Sequence, residues 1–221
     1  MKKKTTFIFI ACLLFCTTYL SAQEAKTDSS QTPFRKGRWF TGLSGSIESN
    51  SGSRSSGNNF FSNGYHIEFF NGKFSGGRFL PGFRLGLART SDNNEFTENE
   101  SETLFAAPTF VKYLSDNSQG SVFISIAFGY VRFFQKSIIQ NGTASIKEVT
   151  RGNGYGGEIG IGYSYAITDH LVFDLGVDIN SFRVVANKSI DPSGLTIREN
   201  IAFGGILFSF GFNVILDKYF F

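Results

Sequence analysis

Histidine is the first side chain to consider for chemistry, because imidazole is the usual acid–base catalyst near neutral pH. The chain has two histidines, and His66 is followed two residues later by Glu68. With a serine from a neighbouring segment, this pair could form a Ser-His-acid arrangement that attacks an ester bond. The chain has no His-x-Ser pair, however, and His170 falls in a short stretch between two strand-like segments. We therefore predict no catalytic residue and a protein without enzymatic activity.

Metal and thiol chemistry have less support than acid–base catalysis. Both cysteines, Cys12 and Cys16, lie in an apolar stretch near the N-terminus that we expect to be removed. Two scattered histidines offer no metal-ligand spacing. The glycine-rich run over 154–157 lacks the Lys-Ser/Thr pair of a phosphate-binding loop. The sequence thus predicts no metal ion and no cofactor.

The N-terminus has the organisation of a secretory signal peptide. Three lysines at positions 2–4 precede an apolar run over 7–16 and small residues up to Ala22. Ten apolar residues are about half of what a membrane-spanning helix needs, so we predict that residues 1–22 are a signal peptide cleaved near Ala22. The three lysines carry the whole formal net charge of +3. The exported chain is therefore neutral overall, and we do not expect it to bind nucleic acid.

Beyond a polar stretch over 23–36, predicted to be a periplasmic N-terminal tail, apolar and polar residues alternate along the chain. Such period-two alternation places one set of side chains on each face of a β-strand. The 27 Phe and 25 Gly of the chain suit strands with one aromatic face and one small or polar face. The pattern predicts an all-β domain over 37–221 with eight strands, at 39–48, 64–70, 81–88, 105–113, 122–130, 155–167, 171–180 and 206–214.

The connections between these segments alternate in length. Those over 49–63, 90–102, 135–153 and 181–200 are long and polar, whereas those over 71–77, 115–120 and 168–170 are short. In an up-and-down arrangement all long loops then lie at one end of the sheet and all short turns at the other. A transmembrane barrel has this organisation, and it must close because a bilayer offers no water to unpaired backbone groups. We predict an eight-stranded antiparallel up-and-down transmembrane β-barrel.

Each segment has an apolar face, which we predict to contact lipid, and a polar face, which we predict to line the lumen. The clearest lipid-facing residues are Phe83, Leu85, Ile124, Ile126, Phe173, Leu175, Phe208, Phe210 and Phe212. The predicted polar network of the lumen consists of Glu48, His66, Glu68, Arg84, Lys112, Glu158, Asp174 and Asp178. Charges in a closed lumen must pair, so we interpret this mixed-sign set as a structural plug, with a conduction path as the alternative.

Tyrosine and tryptophan residues mark both ends of the predicted strands. Girdles of aromatic residues at the two membrane interfaces are typical of such barrels. We assign Tyr65, Tyr130 and Tyr155 to the long-loop end and Trp39, Tyr113 and Tyr165 to the short-turn end.

The last segment resembles a known targeting element. Its Ser209, Gly211, Val214 and Leu216, with Phe221 at the end of the chain, are similar to the assembly signal of outer-membrane barrel proteins. The stretch over 160–169 resembles a turn of the small outer-membrane β-barrel domain family, which is similar to OmpX and the OmpA transmembrane domain. The resemblance implies location in the cell outer membrane. It also implies contact with outer-membrane lipid and lipopolysaccharide, and with the barrel-assembly machinery and periplasmic chaperones.

The sequence predicts place and shape more specifically than activity. We expect a structural or adhesion-like role, with an extracellular ligand at the long loops as one form of it. A narrow channel for small solutes and a barrel enzyme that modifies lipid A through His66 are alternatives. For the fold, a soluble lipocalin-like carrier is the alternative, and it would require an apolar lumen and a polar exterior.

Overall fold

The computed structural model describes residues 32–54, 59–93, 97–141 and 144–218. The predicted signal peptide, residues 23–31 of the predicted tail, and Phe221 of the predicted assembly signal lie outside this part of the chain. In the described part, no helix is long and apolar enough to cross a bilayer.

Eight strands in the described residues form a closed antiparallel barrel in which each strand pairs with its neighbours in sequence. The ring closes between the first and the last strand, where Trp39 pairs with Leu216 and Ile47 with Phe208. The predicted eight-stranded up-and-down barrel is therefore confirmed. The strands are β1 (Trp39–Arg54), β2 (Asn59–Lys73), β3 (Phe79–Asn93), β4 (Thr97–Tyr113), β5 (Gly120–Asn141), β6 (Ala144–Ala166), β7 (Leu171–Asp191) and β8 (Leu195–Leu216).

The stretches predicted to be long loops are mostly strand. The pairing of β5 with β6 continues to Asn141 and Ala144, and that of β7 with β8 continues to Ile190 and Leu195. Polar composition had indicated loops, but a strand that extends beyond a membrane is solvated on its outer face and needs no apolar alternation there. The apolar pairs at 60–61 and 138–139 lie in these extended strands. We call this side of the barrel the hairpin end and the opposite side the short-turn end.

Along a single strand, the interior-facing residues change from apolar to polar and back to apolar. On β7, Val172 is followed by Asp174, Asp178 and Asn180, and then by Phe182. At the short-turn end the interior is filled by the lower core, formed by Phe34, Phe40, Phe70, Phe74, Leu80, Val111, Tyr113, Val172 and Ile215. Toward the hairpin end it is filled by the upper core, formed by Phe105, Ala107, Ala127, Val131, Phe133, Phe182, Val184, Ala186, Ile201 and Phe203. The polar layer between them is the polar belt.

Strand β4 faces opposite to the prediction. Lys112 is exposed on the outer face, where its Nζ donates to the carbonyl of Gly77, so its assignment to the lumen network is wrong. Tyr113 is buried in the lower core, so its assignment to an outer girdle is also wrong. Apolar residues occur on both faces of β4, and the register with β3, in which Ala107 pairs with the interior Arg84, decides the facing.

The end of the predicted N-terminal tail is packed into the barrel. Phe34 is fully buried in the lower core, and its ring stacks on that of Tyr113 with 4.4 Å between centroids. The backbone N–H of Gly37 donates to the carbonyl of Phe74, which ties this segment to the end of β2. Residues 32–36 therefore differ from the structureless tail expected from their composition, because one aromatic side chain anchors them.

Candidate functional site in the barrel interior

The polar belt contains most of the titratable groups predicted for the lumen. Strand β2 contributes His66 and Glu68, and β3 contributes Arg84. Strand β6 contributes Glu158, and β7 contributes Asp174 and Asp178. The side chain of Glu48 lies outside the described side chains.

Arg84 is the centre of a buried ion triad. Its Nη1 pairs with Oε1 of Glu158, and its Nε lies 3.3 Å from Oε1 of Glu68. The three side chains are exposed by only 8%, 2% and 14%, respectively. A charge removed from water to this extent needs a partner, so Arg84 and the two glutamates depend on one another.

A second group of polar contacts joins β7 to β8. The Ser209 hydroxyl donates to Oδ2 of Asp178 over 2.8 Å, and the amide of Gly205 donates to Oδ1 of Asn180 over 2.8 Å. Gly160 provides the space for this group, since a Cβ at that position would overlap the Asp178 carboxylate. The polar belt thus consists of hydrogen-bonded side chains that pack next to a glycine, where a larger residue would leave no room for them.

A cavity of about 60 Å³ lies between the polar belt and the lower core. Its polar walls come from Glu68, Arg84, Asp174 and Asp178. A buried water needs roughly 10–15 Å³ of such space and two to four polar partners, so the cavity suits a few waters. It is too small for an organic substrate, and the two cores lie on either side of the belt.

The described contacts do not join His66 to a serine nucleophile. It is buried, faces the interior and pairs across the β1–β2 ladder with Ser46. The Oγ of Ser46 is buried without a hydrogen-bond partner, so no Ser-His hydrogen bond joins the two. A nucleophile needs its base within hydrogen-bond reach, and among the described side chains Ser46 makes no such contact with His66.

The structure reveals a second charged group that the sequence pattern did not indicate, at the short-turn end. This mouth cluster consists of Arg35, Arg38, Asp169, His170 and Asp217. Arg38 is buried and pairs through Nη1 with Oδ1 of Asp169 at 2.9 Å and through Nε with Oδ1 of Asp217 at 2.9 Å. Arg35 also lies 3.1 Å from Asp169. The available signal was the Arg-x-x-Arg spacing before β1 combined with one aspartate in the turn after β6 and another directly after β8.

Hydrogen bonding and charge both act on Asp217 in this cluster. His170 Nε2 lies 3.3 Å from its Oδ2. This hydrogen bond, followed by the nearby guanidinium groups of Arg38 and Arg35, lowers the pKa of the Asp217 carboxyl below its ordinary value of 3.8. The cluster therefore holds the segment before β1 against the turn between β6 and β7 and the end of β8.

The residues predicted to face lipid lie on the outer surface of the barrel. Phe173 is half-buried there because its ring packs against that of Phe212, with 5.2 Å between centroids. The others are exposed: Phe83, Leu85, Ile124, Ile126, Leu175, Phe208, Phe210 and Phe212.

The residues of the predicted assembly signal alternate between the two faces of β8. Ser209 and Gly211 face the interior, where Gly211 lies against Ser44. Val214 is exposed on the outer face, and Leu216 is half-buried at the strand end. Their role in assembly stays a prediction.

Comparisons with known proteins identify the fold. No protein-family model matches the chain, and no curated protein sequence matches it. Among solved structures, the outer membrane protein OprG from Pseudomonas aeruginosa is similar with a TM-score of 0.53 and 10% identity, over 82% of this chain and 97% of that one. A major outer membrane protein from Thermus thermophilus is similar with a TM-score of 0.50 and 12% identity, over 81% and 99% of the two chains. The chain therefore shares the fold of small outer-membrane β-barrel proteins.

Proposed function

We propose that the chain is an integral outer-membrane β-barrel with a structural or surface-interaction role, without enzymatic activity and without an open channel. One observation carries the proposal: the outer face of the closed barrel is covered by large apolar side chains. Ile47 is 69% exposed, Phe128 63% and Phe208 61%. A contiguous apolar surface on every strand is not stable in water, but it is what the hydrocarbon of a bilayer requires.

The same face gives the orientation in the membrane. On the outside of β5 the unbroken run of apolar residues ends at Tyr130 and is followed by Arg132, and on β7 it ends at Ile179 and is followed by Ser181 and Arg183. Barrels of this type keep short turns in the periplasm and longer connections outside. The hairpin end then faces the cell exterior, and the short-turn end with the mouth cluster faces the periplasm.

The packed interior favours a structural role over conduction. The lower and upper cores fill the barrel on either side of the polar belt, and Arg84 is paired within the belt. An ion would have to displace aromatic side chains in both cores. The same packing argues against a catalytic site at His66.

The projecting hairpins support a surface-interaction role. Above the apolar band, β5 and β6 continue for about ten residues each, as do β7 and β8. At about 3.3 Å per residue and a typical tilt, they extend roughly 25 Å beyond the membrane. A paired sheet of this height presents a rigid surface to an extracellular partner.

Heat-modifiable migration in gel electrophoresis tests the membrane placement. The folded protein should migrate differently before and after boiling, and it should remain with the outer-membrane fraction. A protein that is soluble without detergent and fractionates with the periplasm would overturn the proposal.

Cysteine labelling tests the orientation, because both cysteines of the chain, Cys12 and Cys16, lie in the predicted signal peptide. Ser189→Cys places a thiol on the β7–β8 hairpin, and Ser118→Cys places one in the short turn after β4. On intact cells a membrane-impermeant maleimide should label Ser189→Cys, and it should label Ser118→Cys only after the outer membrane is permeabilised. Labelling in the reverse pattern contradicts the orientation.

Planar bilayer recording separates the structural role from the channel alternative. The wild-type protein should give no steady conductance under conditions in which a known porin does. Regular single-channel steps would favour the channel.

A further inference from the structure

A groove of about 740 Å³ lies on the outer surface of the barrel, at the edge of the apolar band toward the hairpin end. Its lining includes Leu87, Leu104, Arg132, Phe134 and Arg151. In the ladders, Leu104 pairs with both Leu87 and Arg132. Phe134 pairs with Arg151 one row nearer the hairpin end. The groove therefore has an apolar side made by β3 and β4 and a cationic side made by β5 and β6.

The two arginines of the groove carry charge that no described carboxylate compensates. Within the described residues, neither Arg132 nor Arg151 has a carboxylate within salt-bridge distance. Arg89, on the same face, is instead paired with Glu100 at 3.4 Å and with Glu102 at 3.9 Å. Glu102 also lines the groove, but it is turned to Arg89. Two positive charges therefore face the groove at the level where the apolar band ends.

An aromatic side chain holds one of these charges in place. The guanidinium carbon of Arg151 lies 5.5 Å from the centroid of the Phe134 ring. This cation–π contact restrains the Arg151 side chain without occupying its N–H groups. Those donors therefore remain available to a ligand.

The row below the groove leads into the apolar band. There Ala106 pairs with Leu85 on one side and with Tyr130 on the other. Alanine has the smallest side chain in this row, so the two large neighbours flank a position with little side-chain volume. The Tyr130 hydroxyl donates to Oδ1 of Asn153 over 2.6 Å, which orients the tyrosine beside that position. This row provides an apolar path for an acyl chain from the groove along the outer wall.

We propose that this groove binds a phosphate-bearing lipid of the outer leaflet. Arg132 and Arg151 contact the phosphate, and Leu87 and Leu104 contact the upper part of an acyl chain. Guanidinium groups match phosphate oxygens in geometry as well as charge. The inference rests on the membrane placement proposed above and adds a specific lipid site to it.

Native mass spectrometry of the folded, delipidated protein in detergent tests this site. The probe is lipid A with both phosphates, compared with the same lipid A after its phosphates are removed. We expect the wild-type protein to retain the phosphorylated form preferentially. The double variant Arg132→Gln/Arg151→Gln should lose roughly tenfold in affinity for it, which corresponds to about 1.4 kcal/mol. Inorganic phosphate at equal concentration should compete weakly, since it lacks the acyl chain.

A matched variant controls for general electrostatics. Arg198→Gln/Lys147→Gln also removes two exposed positive charges from the hairpin end, but neither residue lines the groove. It should bind lipid A as the wild type does. Equal loss in both double variants, or no preference for the phosphorylated form, overturns the inference. Inorganic phosphate competing as strongly as lipid A would identify a free-anion site and would also overturn it. Heat-modifiable migration of the same samples reports separately on the membrane proposal.

Discussion

Arg84 carries the charge balance of the polar belt. Four carboxylates, those of Glu68, Glu158, Asp174 and Asp178, share the layer with this one guanidinium. Removing one partner of a buried ion pair leaves the other desolvated and unpaired, which costs more than the intact pair contributes. Replacing Arg84 together with its glutamate partners by uncharged residues should therefore destabilise the barrel less than replacing Arg84 alone.

We expect Arg84→Met to lower the free energy of unfolding by about 3–5 kcal/mol, because two glutamates lose their partner in the interior. Urea titration of the refolded protein in micelles measures this, with Trp39, the one tryptophan of the chain, as the fluorescent probe. Adding Glu158→Gln and Glu68→Gln to Arg84→Met should recover part of the loss. A single variant as stable as the wild type would show that the triad does not stabilise the barrel.

Asp217 gives the mouth cluster a defined pH dependence. Folding lowers the pKa of Asp217, so the ionised carboxylate stabilises the docked N-terminal segment above pH 3.8. This contribution is lost as the pH falls through the lowered pKa of the folded state. His170→Gln removes the largest cause, so the pKa of Asp217 should rise toward 3.8. Carbon-13 NMR titration of the carboxyl measures the shift, with Ser118→Ala at the same end as the control. An unchanged titration midpoint in His170→Gln would contradict the assignment.

The alternation of apolar and polar residues along the strands predicted most of the polar belt, but it did not predict the charged cluster at the short-turn end. The side chains of His66, Arg84, Glu158 and Asp178 face the interior, and their positions alternate with apolar residues that face outward. Lys112 was wrongly assigned to the lumen because both faces of β4 are apolar. Hydropathy alone therefore does not show which face of this strand points inward. The mouth cluster was missed because it joins three chain segments that are distant in sequence, so the Arg-x-x-Arg spacing before β1 did not indicate which carboxylates the arginines pair with.

The segment before β1 acts as a packed element although it has no regular secondary structure. Phe34 contacts the rings of Phe74 and Tyr113 in the lower core. Its composition gave no indication of this, since one buried aromatic residue among polar neighbours looks like a loop. Only the space left between the strand ends determines that it enters the barrel.

We expect Phe34→Ala to destabilise the barrel by about 3–5 kcal/mol, the usual cost of a large cavity in a packed core. The measurement is again urea unfolding, and a red shift of Trp39 emission should accompany it as water enters the short-turn end. Lys36→Ala, an exposed neighbour in the same segment, should be close to wild type. Equal stability of the two variants would mean that the segment is docked without contributing to stability.

The apolar outer face of the barrel determines how the whole molecule partitions between water and the bilayer. Apolar residues on β8 extend from Ile206 to Val214, whereas Ala202 lies on the same face nearer the hairpin end. Eight residues of strand separate Phe210, the middle of this apolar run, from Ala202, or roughly 26 Å along the strand at 3.3 Å per residue. The two positions therefore sample the middle of the bilayer and a level beyond its edge.

Phe210→Arg should cost about 2–4 kcal/mol of membrane-inserted stability, because a charge at the bilayer midplane is poorly solvated. Ala202→Arg, with the same new side chain on the same strand and face, should cost about 0–1 kcal/mol. Unfolding titrations in lipid vesicles distinguish the two. Equal costs would place both positions in water and would contradict the proposed membrane level.

The pairing of Trp39 with Leu216 also has a consequence for the order of events in folding. Until the last strand reaches the first, every partial sheet keeps two edges whose backbone groups are unpaired. These contacts join positions separated by almost the whole barrel sequence, and contacts of long sequence separation form slowly. The chain must therefore remain unaggregated through a late, rate-limiting closure step. Mutations that weaken the β1–β8 seam should lower the yield of folded protein more than they lower the stability of barrels that have already closed.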